Sequence, residues 1–289
     1  MVALLLSLLL TALSVQATTP KEIVVFGDST SDVGNLYILF GSPAGDPSFT
    51  NGRVGDGPNW TDYLASYYKH VLGMSPSLAG GSNYATSGAD TTFGAGCIGL
   101  GSTGQQVMEF LNANPSIEST GNKLFVFWAG ANDILCGQPD MTVPTGNIVT
   151  QISMLYDAGA RHFLVLNMLP VGLTPYGLSG GPDFSSELTE RVAAFNDELL
   201  AQLGSYKCNY PAAHFYAMDV HQIYLDVLAN PGLYGFLNVT DPALYVGGDP
   251  DTSLWWDFVH TTTRFHALVA EQAADLLNHH RGGLRCEAM

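Results

Sequence analysis

A serine hydroxyl becomes a useful nucleophile only beside a base that can take its proton. The stretch Phe26-Gly27-Asp28-Ser29-Thr30-Ser31-Asp32 follows directly on an apolar run, and Gly27 permits a sharp turn that leaves Ser29 at the end of a strand. Histidine suits the base role because its pKa lies near neutral pH. Trp255-Trp256-Asp257-Phe258-Val259-His260 supplies one close to the other end of the chain. Asp257 stands three residues before His260, where a turn brings its carboxylate to the imidazole Nδ1, fixing the tautomer and stabilising the imidazolium. Acyl transfer also needs donors for the developing oxyanion. Two segments offer them: Asn83-Tyr84-Ala85-Thr86-Ser87-Gly88-Ala89, where Gly88 lets a carbonyl approach the backbone, and Ala129-Gly130-Ala131-Asn132-Asp133, where the Asn132 amide follows a strand. Each feature alone has a bland counterpart: a Gly-Asp-Ser turn, a loop Asp-His contact, a turn glycine, an Asx-turn asparagine.

Elements able to position these residues are visible in the apolar patterning. Runs at 22–26, 123–128, 161–168 and 213–218 are β-branched or aromatic and bounded by Gly, Pro or polar residues, which predicts buried strands. Helices are predicted over 60–70, 104–112, 146–158, 186–203 and 261–280; in the fourth, Leu188, Val192, Phe195 and Leu199 recur at helical spacing. Strands separated by helices indicate a parallel sheet covered on both faces. Ligands then bind at the carboxyl ends of the strands, which is where Ser29 and Asn132 fall. No fixed-period repeat or low-complexity linker interrupts the chain, so a single domain over 18–289 is expected.

At these residues the chain resembles the GDSL lipase/esterase family of SGNH hydrolases. Four blocks occur in that family's order, FGDSTSDVGN, NYATSGA, GAND and DFVH, and FTNGRVGDGPNW ahead of the first long helix is similar too. The resemblance covers nearly all of the mature chain. It implies a flavodoxin-like three-layer α/β/α sandwich with no metal or cofactor, Ser29 as nucleophile, His260 as base and Asp257 as its orienter. It also implies an oxyanion hole formed by the backbone N–H groups of Ser29 and Gly88 and the Asn132 side chain. Two positions depart from the family pattern. Thr30 stands in place of the family's leucine, altering packing behind the nucleophile. Thr261 replaces the proline that commonly follows the histidine, and is expected to cap the last helix.

Composition narrows the partners. Ten Lys and Arg stand against 26 Asp and Glu, a formal charge of −16, which excludes the basic face that nucleic acid requires. The same charge disfavours anionic lipid surfaces, so a lipid substrate is expected to be neutral or micellar. Residues 1–17 are apolar, uncharged and end in small residues, which predicts a signal peptide cut after Ala17 and an exported protein without stable membrane insertion. Export makes Cys97, Cys136, Cys208 and Cys286 readable as two disulfides. Of three pairings, Cys97–Cys136 and Cys208–Cys286 are favoured, the first closing a loop beside the site and the second tying down the C-terminal tail. Each is expected to add about 3–4 kcal/mol in the chain-entropy model. Asn59-Trp60-Thr61 and Asn238-Val239-Thr240 are glycosylation sequons, usable in a eukaryotic host.

Other motifs compete. Gly177-Leu178-Ser179-Gly180-Gly181 matches a nucleophile elbow, which would make Ser179 the nucleophile of an α/β-hydrolase, but LTPYG precedes it where a strand is required. Gly99-Leu100-Gly101-Ser102-Thr103-Gly104 matches a dinucleotide fingerprint behind a glycine-broken run, and reads better as a loop bordering the cleft. Asp249 and Asp251 are candidate calcium ligands that more simply face water. Trp255 and Trp256 are pocket or core aromatics, and His279-His280 an exposed helix end. The expectation is therefore an ester hydrolase acting on lipid, small acyl or acetylated carbohydrate esters. A secreted binding protein on the same fold, without turnover, is the alternative.

Overall fold

In chain order the strands are β1 (Glu22–Gly27), β2 (Phe49–Thr50), β3 (Arg53–Val54), β4 (Lys123–Trp128), β5 (His162–Leu166) and β6 (His214–Met218). They belong to a computed structural model that describes residues 20–41, 47–68, 74–119, 122–279, 283, 284 and 286. The expected signal peptide at 1–17 lies outside the described residues. The four long apolar runs form one parallel sheet in the order β1-β4-β5-β6. Phe26, Phe125, Phe127 and Phe163 are buried on one face and Val25, Val126 and Leu164 on the other, as expected where helices cover both sides. The run at 161–168 yields a shorter strand because Met168 gives its N–H to the Asn196 side chain instead of to a neighbouring strand.

Neither edge of this sheet is bare. On β1, Val25 donates its N–H to Ser82 O, and Val25 O and Gly27 O accept from Tyr84 and Thr86. The segment 82–86 thus occupies a fifth, abbreviated strand position, completing the 2-1-3-4-5 order of flavodoxin-like sheets. On β6, Leu284 donates to Phe215 O and Gly283 bridges Tyr216 in antiparallel sense. The Cys208–Cys286 disulfide pins that tail segment.

The helices are α1 (Asn35–Phe40), α2 (Trp60–Tyr67), α3 (Thr103–Ala113), α4 (Ala131–Leu135), α5 (Thr142–Asp157), α6 (Pro175–Ser179), α7 (Pro182–Asn209), α8 (Val220–Ala229), α9 (Ala243–Val246) and α10 (Thr263–Asn278). α2 packs against α10 in one layer, while α3, α5 and α7 pack in sequence in the other. α7 extends well beyond the expected 186–203 because Pro182, which suits a first helical turn, starts it early. α5 likewise begins a turn before 146, with Pro144 in its first turn. Among the described residues no helix is long and apolar enough to cross a membrane.

Candidate active site

β1 delivers Ser29 to the carboxyl end of the sheet. A side chain at Gly27 would place its Cβ 2.5 Å from the Trp128 carbonyl oxygen, so only glycine lets the chain turn that close to β4. The turn then closes with Ser31 and Asp32 N–H groups donating to Asp28 O. Asp28 is buried, and its Oδ1 accepts from both the N–H and the hydroxyl of Thr30. Burial pushes the Asp28 carboxyl above its ordinary range against those two bonds. Thr30 therefore does more than alter packing: it is the polar partner of a buried acid next to the nucleophile candidate.

His260 arrives from the far end of the sequence on a narrow loop. Trp256 donates its N–H to His260 O at 2.9 Å, and Trp255 bridges Thr261. His260 Nε2 lies 2.7 Å from Ser29 Oγ. On the other side of the ring, Nδ1 lies 2.7 Å from Asp257 Oδ2. Asp257 Oδ1 accepts the N–H groups of Val259 at 2.8 Å and His260 at 2.7 Å. Burial alone would raise the Asp257 carboxyl, but the bond to His260, its charge and those two N–H donors together hold it below its ordinary value. An imidazole held in this way can take a hydroxyl proton and return it.

The start of α10 sets this loop. Thr262 is its N-cap, yet its hydroxyl donates to Ser253 O at 2.6 Å and caps nothing. Thr261 is buried and does not cap either, contrary to the sequence expectation. Asp56 does the capping from a distant segment, its Oδ1 accepting the Thr263 N–H at 2.7 Å. Burial raises the Asp56 carboxyl even with that bond. Six residues beyond His260, His266 is buried, and its pKa is driven down to about 3 by burial and by the His260 charge.

The oxyanion candidates meet at the same cleft of about 310 Å³, lined by Ser29, Gly88, Asn132 and His260 together with apolar Leu36, Phe49, Val54, Ile98, Leu100, Leu135, Leu169, Val171 and Val259. Among the described residues, neither the Ser29 nor the Gly88 N–H is given to a partner. Asn132 Nδ2 donates to Ala89 O at 2.9 Å, which uses one of its two hydrogens. Gly88 sits at φ +84°, and a Cβ there would lie 2.7 Å from Ile98 Cδ1, so conformation and space both demand glycine.

A buried polar net, not visible in the separate motifs, fixes these parts to one another. Asp32 Oδ1 accepts from Gly34 and Asn35 N–H, and its Oδ2 from the N–H and hydroxyl of Ser87, the neighbour of Gly88. Asn35 Nδ2 donates to Asn83 O and Ala85 O, and Asn83 Nδ2 to Ser31 O. Asp133 accepts from the N–H and hydroxyl of Thr91, tying α4 to the Gly88 loop. Burial raises the Asp133 carboxyl to about 6, with Asp90 adding to the rise. Asp32, Asn35, Asn83 and Asp133 stand inside or beside the quoted blocks, but sequence reading assigned them no task. Position next to a catalytic candidate is the only signal that could have found them.

The other residues singled out in the sequence take the following places. Ser179 ends the short helix α6 instead of following a strand, and donates its hydroxyl to Tyr176 O at 2.7 Å; the imidazole that an elbow would need is spent on Ser29. Asn59 is only 3% exposed, and its Nδ2 donates to Asp32 O while its Oδ1 caps α2. Asn238 is half-buried with Nδ2 donated to Asp241 O. Both sequon asparagines are thus turn or cap residues whose amide nitrogens are engaged. Asp249 caps a turn through the Asp251 N–H. Trp255 is core, stacked on Tyr224, while Trp256 reaches Ser48 O at the cleft's edge. His279 pairs with Asp275, and His280 lies outside the described residues. In the Gly99–Gly104 run, Ser102 caps α3, and Leu100 beside it lines the cleft. Both disulfides pair as expected, and Cys97–Cys136 joins the loop bearing Ile98 and Leu100 to the end of α4.

Comparison with known proteins gives the family. A thermolabile hemolysin of Vibrio parahaemolyticus is 23% identical over 89% of this chain, which spans 64% of that protein, less than two thirds of its length. A GDSL esterase/lipase of Arabidopsis thaliana is 28% identical over 87% of this chain and 86% of its own. Among solved structures, a member of the lipolytic protein G-D-S-L family from Veillonella parvula shares the fold with a TM-score of 0.50 at 17% identity, covering 88% of this chain and 97% of that one. The family model for GDSL-like lipase/acylhydrolase matches residues 23–273, so the chain belongs to that family and is a serine hydrolase of esters.

Proposed function

We propose that this protein is exported and hydrolyses carboxylic esters of apolar acyl groups through an acyl-enzyme on Ser29. The observation that carries the reading is His260, which touches Ser29 Oγ, 231 residues away in sequence, and Asp257 Oδ2, each at 2.7 Å. His260 Nε2 takes the Ser29 proton as Oγ bonds to the ester carbonyl carbon. The oxyanion receives the N–H groups of Ser29 and Gly88 and the Asn132 amide. The carbon–oxygen bond to the alcohol breaks, and His260 returns the proton to that alcohol. Water, deprotonated by the same imidazole, then releases the acid and restores the serine. Asp257 stays ionised throughout, which its lowered pKa favours.

The apolar wall from Leu36 to Val259 supports acyl groups longer than acetyl. If each added methylene is buried there, kcat/KM on p-nitrophenyl esters should rise about fourfold per carbon until the cleft is filled, from about 0.8 kcal/mol per buried CH₂. Export is supported by the uncharged apolar residues 1–17 and by the two disulfides. A fluorophosphonate probe should label the wild type and Ser179→Ala but not Ser29→Ala. Label retained on Ser29→Ala would end the proposal.

A further inference from the structure

Large apolar side chains lie exposed around the mouth of the cleft. Leu36 lines the cleft, and the next four residues of α1 turn outward: Tyr37 is 48% exposed, Ile38 47%, Leu39 53% and Phe40 63%. Ile98 lines the cleft and is 54% exposed. On a third side Val259 lines it, with exposed Phe258 next in sequence and stacked on exposed Tyr245, ring centroids 4.9 Å apart. Phe258 O in turn accepts the N–H of Tyr176 on α6, which adds exposed Tyr176 and Leu178. Of the segments that build this collar, 33–41, 91–108, 169–182 and 242–248 contain no Lys, Arg, Asp or Glu, and the segment 255–260 adds only Asp257, which is bonded to His260, although the whole chain carries a formal charge of −16.

We infer that this collar seats the protein on the surface of an aggregated neutral or zwitterionic lipid, so that an acyl chain passes from the aggregate into the cleft without crossing water. The inference rests on the reading of the Ser29 cleft as an acyl hydrolase site. Two arguments choose the occupant. Exposed apolar surface of this extent needs a nonpolar cover, and a second protein copy seated on the collar would shut the mouth against any substrate. The absence of cationic side chains from the collar, on a strongly acidic molecule, disfavours an anionic surface.

The test uses the full chain with Ser29→Ala, so that binding is read without turnover, and phosphatidylcholine vesicles with or without phosphatidylserine. Ser29→Ala should cosediment with phosphatidylcholine vesicles and do so more weakly as phosphatidylserine is added. Adding Leu39→Asp and Phe40→Asp should weaken that partition at least tenfold. Leu200→Asp, an equally exposed leucine on α7 in a separate cleft, should leave it unchanged. In the active protein, Leu39→Asp with Phe40→Asp should keep hydrolysis of soluble p-nitrophenyl acetate within about twofold while losing most of the rate on an emulsified long-chain ester. The inference is overturned if Ser29→Ala does not bind vesicles, or if the double aspartate variant binds as well as its parent. It is also overturned if the wild type sediments as a dimer that the aspartates dissociate. Vesicle binding by a wild type that hydrolyses no ester would uphold the collar and overturn the hydrolase reading instead.

Discussion

Asn132 offers the cleft a hydrogen while its other hydrogen is held by Ala89 O. Asn132→Ala should therefore lower kcat by about 10²–10³ with little change in KM, the usual effect of losing one oxyanion donor, as read by steady-state kinetics on a soluble ester. Two other residues act on stability instead, and in opposite directions. Asp133 has a folded pKa of about 6 against an ordinary 3.8, so between those values the folded state holds the extra proton. Its contribution is full below pH 3.8 and is lost as pH rises through 6. His266 is held at about 3 against 6.5, so the unfolded state holds the proton over that window, and stability is lost as pH falls below 6.5. Asp133→Asn should make the folded state relatively weaker at pH 4 than at pH 7, and His266→Phe relatively stronger, in urea melts at the two pH values. Ser29, Asp257 and His260 were legible because their residue types and the order of their blocks point to one chemistry. Asp133 and His266 were not, because their behaviour comes from what surrounds them in space.

Among the elements, α10 shows how a distant segment can govern a loop. Asp56 caps the helix that follows His260, and Tyr63 OH and Pro58 O both bond the Thr263 hydroxyl. Asp56→Ala should cost about 1 kcal/mol of stability, typical of a lost cap, and should also lower kcat by loosening the His260 loop. Asp56→Asn keeps an acceptor oxygen and should recover both, as measured by thermal melts and ester kinetics. The strands were legible because each apolar run is also a buried run, and α7 because its apolar spacing is unbroken. The β2–β3 hairpin escaped notice although Asn51-Gly52, both at positive φ, is the usual two-residue hairpin turn. With only two residues in each strand, it has no alternation to betray it. α8 was missed because its apolar residues crowd together, Tyr224 and Val227 being buried while Ile223 and Leu228 are only partly so.

At the scale of the whole molecule, the acidic surface, the two disulfides and the sheet order answer different requirements. Ten Lys and Arg against 26 Asp and Glu leave little material for a basic face, and composition alone says so. Sheet order could not be read from the strand runs, because the fifth position is filled by 82–86, a segment with no strand pattern that is held by the Asn35 and Asn83 side chains. That side of the sheet is guarded by noncovalent bonds inside the core, which a thiol reagent cannot reach. The β6 side is guarded by residues 283 and 284, whose hold on the body includes the Cys208–Cys286 bridge. The two margins therefore differ in how they fail. A reductant, or Cys208→Ser, should unlatch only the second and leave a flat row of β6 amides open to strands from other molecules. Clouding and thioflavin fluorescence on mild reduction should then grow from that margin, and a proline placed at Ala217, whose N–H faces it, should suppress them. A cell that made this chain in a reducing compartment would produce a protein inclined to stick to itself.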